Sequence, residues 1–317
     1  MHFKELKIGA FTARIPIVQG GMSVRNSMAP LAAAVSNAGG IGIIGASGVE
    51  AETVLCEIRK CRELTKGIVS VNIMYVLTRF AEIVEASIQA GADLIFTGAG
   101  FSREVYKMVE GTKTQVVSIV SSARAGVLAE RLGAKAVVVE GAEAGGHLGT
   151  DRSIDAIFPE VRAAVQSIPV LAAGGIMDGF DIAKYLKMGA DGVQMATRFV
   201  CSVECSVHAA FKQMYLDSHK EDIVEMESPV GMPGRAIRNK LINEIEARTV
   251  ELKSCKVKCL KSCSRLYCIY DRLMMAMQGD VENGLVFSGA NAWKIKEILT
   301  VAEIFKQLLG ELESAPA

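Results

Sequence analysis

The residues best placed to do chemistry lie in Glu140-Gly141-Ala142-Glu143-Ala144-Gly145-Gly146-His147, directly after the apolar run Ala136-Val137-Val138-Val139. A short β-branched run that feeds into glycines and one histidine reads as a buried strand whose end lets backbone approach a ligand closely. Of the 4 histidines, His2 is terminal, His208 and His219 fall in a partly charged stretch of helical pattern, and only His147 stands at such a strand end. An imidazole titrates near neutrality, so it can orient an anion, polarise a carbonyl or move a proton. The plainer alternative is a loop histidine that only caps or hydrogen-bonds.

Related phrases close other apolar runs: Gln19-Gly20-Gly21-Met22, Val71-Asn72-Ile73-Met74, Thr97-Gly98-Ala99-Gly100, Ala172-Ala173-Gly174-Gly175 and Gln194-Met195-Ala196-Thr197-Arg198. Backbone N–H groups of Gly174 and Gly175, with those of Ala196 and Thr197 at a helix start, can surround a phosphate without a lysine. Tight turns with no ligand are the alternative. Gln19 and Asn72 can donate and accept, and Glu140 can take hydroxyl protons. Flavin mononucleotide has the terminal phosphate, polyol and ring such a set would hold, and no Rossmann fingerprint in good context points to a dinucleotide.

Positioning these groups requires strand ends from both halves of the chain in one place. Short β-branched runs alternate with segments of helical period. The strands expected are Ile15–Gln19, Ile41–Ile44, Ile68–Ile73, Asp93–Thr97, Gln115–Val120, Ala136–Glu140, Val170–Ala173 and Gly192–Met195. Between them lie helices expected near Met28–Asn37, Val49–Leu64, Arg79–Ala90, Arg103–Glu110, Ala123–Leu132, Ile154–Val165 and Gly179–Met188, with Val203–Leu216 as the eighth. Eight strands each followed by a helix is the count of an α/β fold of the (β/α)8 TIM-barrel type, whose chemistry sits at the C-terminal strand ends. A doubly wound open sheet is the rival. The expected division is an FMN-binding barrel over residues 1–220 and an α-rich, cysteine-containing lid over 221–317. That lid would hold a charged helix Arg235–Leu252, a helix near Leu266–Met277 and a final helix Val301–Leu312.

The chain has 317 residues, 50% of them hydrophobic, and 35 basic residues balance 35 acidic ones, which argues against a nucleic-acid partner. No run of eighteen apolar residues suggests a membrane span, and the N-terminus lacks the apolar core of a signal peptide. A cytoplasmic location is therefore expected, where the 8 cysteines would be thiols or metal ligands rather than disulfides. Cys255, Cys259, Cys263 and Cys268 follow a C-x3-C-x3-C-x4-C spacing. Four thiolates suit an iron–sulfur cluster or structural zinc, although the spacing matches no familiar pattern of either, and free thiols are the simpler reading.

Taken together, Gln19-Gly20-Gly21-Met22, Ala38-Gly39-Gly40-Ile41-Gly42, Glu143-Ala144-Gly145-Gly146-His147, Ala172-Ala173-Gly174-Gly175-Ile176 and Gln194-Met195-Ala196-Thr197-Arg198-Phe199 resemble the nitronate monooxygenase family. This family was once called the 2-nitropropane dioxygenases, and its relatives include the FMN-dependent enoyl-acyl-carrier-protein reductases. The resemblance covers roughly residues 12 to 242. It implies an FMN-bearing barrel in which Gln19, Gly20, Gly21, Met22, Asn72, Glu140, Gly145, Gly146, Gly174, Gly175, Met195, Ala196 and Thr197 line the flavin and His147 is catalytic. Thr197-Arg198-Phe199-Val200-Cys201-Ser202 and the phrases around Asn72 and Gly98 lean toward the reductases, which take hydride from NADH or NADPH. The substrate implied is an enoyl thioester, with acyl carrier protein as a further partner and a homodimer as the assembly. Oxidation of alkyl nitronates with oxygen is the alternative, and a non-catalytic flavin-binding sensor or electron-transfer protein a remote one. The continuation Ser23-Val24-Arg25-Asn26 departs from both branches, and Arg25 is read either as a contact for an anionic substrate or as a solvated loop charge.

Overall fold

Runs such as Ala136-Val137-Val138-Val139 are apolar on both faces because a barrel strand meets side chains inside and helices outside. In the computed structural model, which describes residues 4–250, 255 and 257–316, eight such strands lie parallel. They are β1 Ile17–Gln19, β2 Gly42–Gly45, β3 Val69–Met74, β4 Leu94–Gly98, β5 Gln115–Val120, β6 Ala136–Glu140, β7 Val170–Ala173 and β8 Gly192–Met195. Each pairs with its sequence neighbours from β2 to β8, and β8 pairs with β1, Met195 opposite Gln19. The parallel bridge Val18–Ile41 then joins β1 to the edge of β2 and closes the ring as a TIM barrel.

Side chains alternate across these strands. Val18, Ile43, Phe96, Val117, Val138 and Leu171 fill the interior, and an N-terminal hairpin, Leu6–Ile8 with Phe11–Ala13, closes its lower end by adding Leu6 and Ile8 to that cluster. Ile17, Val71, Val139, Ala172, Val193 and Met195 face outward against the helices. The recurring Gly-Ala-Asp phrases do two jobs. Gly91 and Gly189 take left-handed φ values of 78° and 92° that end a helix, and the aspartate two residues on pins the preceding strand. Asp93 accepts from Val69 N at 2.8 Å and Asp191 from Val170 N at 2.9 Å, and each is paired with an arginine, Arg62 or Arg162.

The outer layer begins with α1 Ala29–Ala38, α2 Ala51–Leu64, α3 Phe80–Gln89, α4 Glu104–Met108, α5 Ala123–Arg131, α6 Ile154–Ala164 and α7 Gly179–Lys187. The eighth place differs from expectation. Val203–Leu216 is not one helix: a single turn, α8 Thr197–Val200, is followed by irregular chain and then α9 Ala209–Asp217, capped by the His208 imidazole. The helix that packs between α7 and α1 is the last in the chain, Val301–Ser314. It buries Val301, Ile304, Phe305, Leu308 and Leu312, and Glu311 caps the start of α7 by accepting from Gly179 N at 2.7 Å. Residues 201–300 are thus a long excursion between the last strand and the helix that covers it.

Within the excursion, Arg235–Leu252 is not a helix. Gly234–Ile237 is a strand, paired antiparallel with Ile223–Met226 on one side and with Gly146–His147 on the other. Helix α10 is the shorter Lys240–Glu246, α11 is Ile269–Met277, and the final Val301–Ser314 is α12. Residues 251 and 252 of the expected helix lie outside the described residues. A strand beats the helical pattern here because its backbone finds two partner strands at once. Among the described residues no helix is long and apolar enough to cross a membrane.

Candidate active site

One cavity opens at the C-terminal ends of the barrel strands and extends under the excursion. Gly20, Gly21, Met22, Asn72, Glu140, Gly145, Gly146, His147, Ala196 and Thr197 all line it. Gln19, Met195, Gly174 and Gly175 are not among its lining residues. Strand parity explains the first two: Val18 points inward, so Gln19 points out, and Met195 lies opposite it in the register. Gln19 is fully buried, and its amide is spent within the barrel, donating to Gly20 O and accepting from Ile43 N at 3.0 Å. It ties β1 to β2.

The same parity turns Asn72, Glu140 and Gln194 inward. Gln194 is 8% exposed, lines the cavity, and its Oε1 has no hydrogen-bond partner. Ser288, from the excursion, is 2% exposed, lines the cavity, and its Oγ is likewise unpartnered. Buried polar atoms of this kind call for a ligand or water. Gln194 stands inside a phrase quoted from the sequence and was legible by counting in twos along β8, whereas nothing local to Ser288 marks it.

His147 is not on β6 itself. The loop after Glu140 carries it out to the two-residue strand Gly146–His147, opposite Gly234, where Leu148 N also bonds Pro233 O at 2.8 Å. Glycine at 234 leaves space for the Phe287 ring, which meets the imidazole edge to face with centroids 5.1 Å apart. His147 Nε2 is 2.9 Å from Ser228 Oγ. Burial lowers the imidazole pKa from 6.5 to about 4, so the ring is neutral at physiological pH. Burial acts the opposite way on the Glu140 carboxyl, raising it from 4.5 to about 7. The cavity therefore holds a neutral base and an acid that is half-protonated near pH 7.

Beside Thr197, the excursion returns across three strand ends. Gly289 N donates to Thr197 Oγ1 at 3.0 Å, Ala290 N to Glu143 O at 3.0 Å, and Asn291 Nδ2 to Gly175 O at 2.6 Å. Gly145 permits this approach, since a Cβ there would lie 2.8 Å from Gly289 N. Gly174 and Gly175 have φ values of 111° and 71°. Their N–H groups, and those of Ala196 and Thr197, find no acceptor among the described residues. Free N–H groups at two adjacent strand ends and buried unpartnered side chains in the cavity lining fit a ligand with an anionic tail and a polar ring edge, the donor set FMN requires.

Arg25 is exposed. It and Val24 take left-handed φ values of 64° and 53°, which turn Asn26 rather than Arg25 toward the cavity, with the buried Asn26 Oδ1 unpartnered. Among the described residues no three His, Cys, Asp or Glu side chains are disposed to hold a metal, although Cys255 and Cys263 lie close enough to Cys259 to add to the upward push that burial gives its thiol pKa. Cys255 and Cys263 are exposed, Cys268 precedes α11, and Cys259 lines the cavity. The segment lies there because Leu260 forms an antiparallel bridge with Leu77 and Lys261 Nζ sits 3.6 Å above the Tyr75 ring.

A family model described as nitronate monooxygenase matches residues 4–311. The chain belongs to that family. The chain spans 65% of the length of the first curated relative it matches. It is 31% identical over 234 residues to (3aS,4S,5R,7aS)-5-hydroxy-7a-methyl-1-oxo-octahydro-1H-indene-4-carboxyl-CoA dehydrogenase of Mycobacterium tuberculosis, across 73% of this chain and 65% of that protein. A probable nitronate monooxygenase of Staphylococcus saprophyticus is 28% identical over 283 residues, covering 75% of this chain and 79% of the other. Among solved structures, FabK from Thermotoga maritima superposes with a TM-score of 0.86 at 32% identity, covering 95% of this chain and 94% of FabK.

Proposed function

We propose that this family member is an FMN-dependent reductase of an activated C=C bond in an acyl thioester, drawing electrons from NADH or NADPH. The observation that carries the reading is the mixed character of the cavity lining. Asn72, Glu140 and Gln194 from the barrel strands give the lining its polar part, and Val230, Leu260, Ile269, Leu273 and Phe287 from the excursion give it an apolar part. The polar part suits a flavin ring and the apolar part suits a hydrocarbon chain, which a small alkyl nitronate lacks. The likeness to FabK and to a carboxyl-CoA dehydrogenase supports the same substrate class.

In this reading the phosphate is held by the N–H groups of Gly174, Gly175, Ala196 and Thr197, and Asn72, Glu140 and Gln194 meet the polyol and ring. Bound flavin supplies hydride transfer between the nicotinamide and the substrate. The protein supplies the rest. His147, neutral and held against Phe287, is placed to hydrogen-bond the substrate, and the excursion excludes water from the apolar wall. Apolar walls of this kind place the reacting atoms by binding the remote chain.

Purified protein should be yellow, be bleached by NADH or NADPH under anaerobic conditions, and be reoxidised by crotonyl or longer enoyl thioesters. Bleaching by alkyl nitronates during aerobic turnover, with no response to nicotinamide, would move the assignment to nitronate oxidation. A colourless protein that takes up no FMN would end both.

A further inference from the structure

We infer that Asn26 is a specificity-determining residue that hydrogen-bonds a hydroxyl group carried by the acyl thioester. The inference rests on the reading of the cavity as a thioester site, and its test includes a binding measurement that needs no turnover.

Asn26 lines the cavity, and its Oδ1 is sealed from water with no hydrogen-bond partner. A buried amide atom left unpaired is costly, and in native proteins such an atom is as a rule met by a ligand or water. A hydroxyl both donates and accepts, so it satisfies the amide through whichever atom is turned toward it. The other lining residues of this loop and of the loop after β2 are Ser23, Val24, Ser47 and Gly48, none of them charged, which suits an uncharged group.

The backbone is arranged for this placement. Val24 and Arg25 take successive left-handed φ values of 53° and 64°, a region that a β-branched residue rarely enters and where strain is kept mainly at functional sites. Hydrogen bonds hold the turn: Val24 N donates to Ser47 O at 2.9 Å, Met22 N to Ser27 Oγ at 2.8 Å and Asn26 N to Ser23 O at 3.3 Å. Asn26 O in turn accepts from Cys205 Sγ at 3.2 Å and from Ser206 N at 3.4 Å. Both backbone groups of Asn26 are thus committed, and its side chain alone is left over.

The same loop is fastened to the excursion. A Cβ on Gly48 would lie 3.0 Å from Val24 Cγ2 and 3.7 Å from Tyr270 Cδ2, which brings the start of α11 close to Val24. His208 N, two residues beyond Ser206, bonds Met277 O at the end of that helix at 3.0 Å. Helix α11 supplies Ile269 and Leu273 to the apolar part of the lining. Asn26 therefore adds a polar group to the loop that meets the apolar wall. A bare chain bound there leaves the amide dry and unpaired, whereas a chain with a matching hydroxyl does not. That hydroxyl can belong to the acyl group or to the pantoate unit of a pantetheine arm.

Calorimetric titration of the holoprotein with octanoyl thioesters measures binding, and kcat/KM with trans-2-octenoyl thioesters measures turnover. For the acyl source, the plain chain is compared with a set that carries one hydroxyl at each successive carbon beyond the double bond. For the arm, pantetheine thioesters are compared with N-acetylcysteamine thioesters, which lack the pantoate hydroxyl. One hydroxyl-bearing form should bind about ten- to a hundredfold tighter than its parent. In Asn26→Ala and in the similar-sized Asn26→Leu that preference should disappear while FMN affinity is unchanged. No hydroxyl preference in either comparison, or a preference kept in both variants, overturns the inference. A loss of FMN affinity in both variants also overturns it and gives Asn26 to the cofactor. An Asn26-dependent preference in binding, with no reoxidation of reduced flavin by any thioester, supports the inference and overturns the reductase reading instead. Failure of every thioester to bind overturns both.

Discussion

His147 and Glu140 share the cavity, and burial pushes their pKa values in opposite directions, which separates their effects by pH. His147 has its pKa lowered from 6.5 to about 4, so the stability its burial contributes is present above 6.5 and is lost as pH falls through about 4. Its share of catalysis should likewise be flat from pH 8 to 5 and fall only toward pH 4. Glu140 is raised from 4.5 to about 7, so its contribution is fully present below 4.5 and is lost as pH rises through about 7. A break in kcat/KM near pH 7 should therefore belong to Glu140 and vanish in Glu140→Gln while the limb near pH 4 stays. Urea unfolding of the apoproteins checks the linkage. Glu140→Gln should gain on the order of 2 kcal/mol relative to wild type between pH 4.5 and 8. A constant difference across that range would mean the carboxyl is not desolvated.

At the scale of single elements, period two decides which of the glycine-rich strand ends touch a ligand. Gln19 resembled a flavin contact in sequence, yet it faces away from the barrel interior and satisfies Ile43 N. Gln19→Ala should cost about 2–4 kcal/mol in chemical denaturation, because it leaves that buried N–H unpaired and opens a small cavity. Flavin affinity, followed by fluorescence quenching, should change by less than threefold. A large loss of affinity in a protein of unchanged stability would put Gln19 back at the cofactor.

The β-branched runs that form β1 to β8, and the glycines and His147 at their ends, were legible because strand burial and close backbone approach leave local marks in composition. Ser228, Phe287 and Ser288 were not, because they reach the imidazole or the cavity from 80 to 140 residues away with no local period. Arg235–Ile237 was misread as the start of a helix because this strand is set by its partners, Gly146–His147 and Ile223–Met226, and not by its own pattern.

For the molecule as a whole, the division of labour is between a barrel and an excursion that cannot be removed from it, since the chain leaves after β8 and comes back as the covering helix α12. Phe305 is the clearest link. It packs 6.0 Å from the Phe199 ring, and a Cβ on Gly40 would lie 2.9 Å from its Cζ. It therefore joins α12 to the start of β2 and to α8, whose first residue is Thr197. If residues 221–317 were an independent lid, calorimetry would show two transitions, and damage to α12 would leave the flavin on an intact barrel. With α12 as the eighth barrel helix, unfolding should be a single cooperative transition that carries flavin release with it. Phe305→Ala should move that whole transition down by the equivalent of about 3–5 kcal/mol. Because α8 loses its support, flavin should also dissociate faster from the folded variant, measured by stopped-flow recovery of flavin fluorescence. Two separate transitions in the wild type, with only one responding to Phe305→Ala, would show that the chain's last helix belongs to the lid.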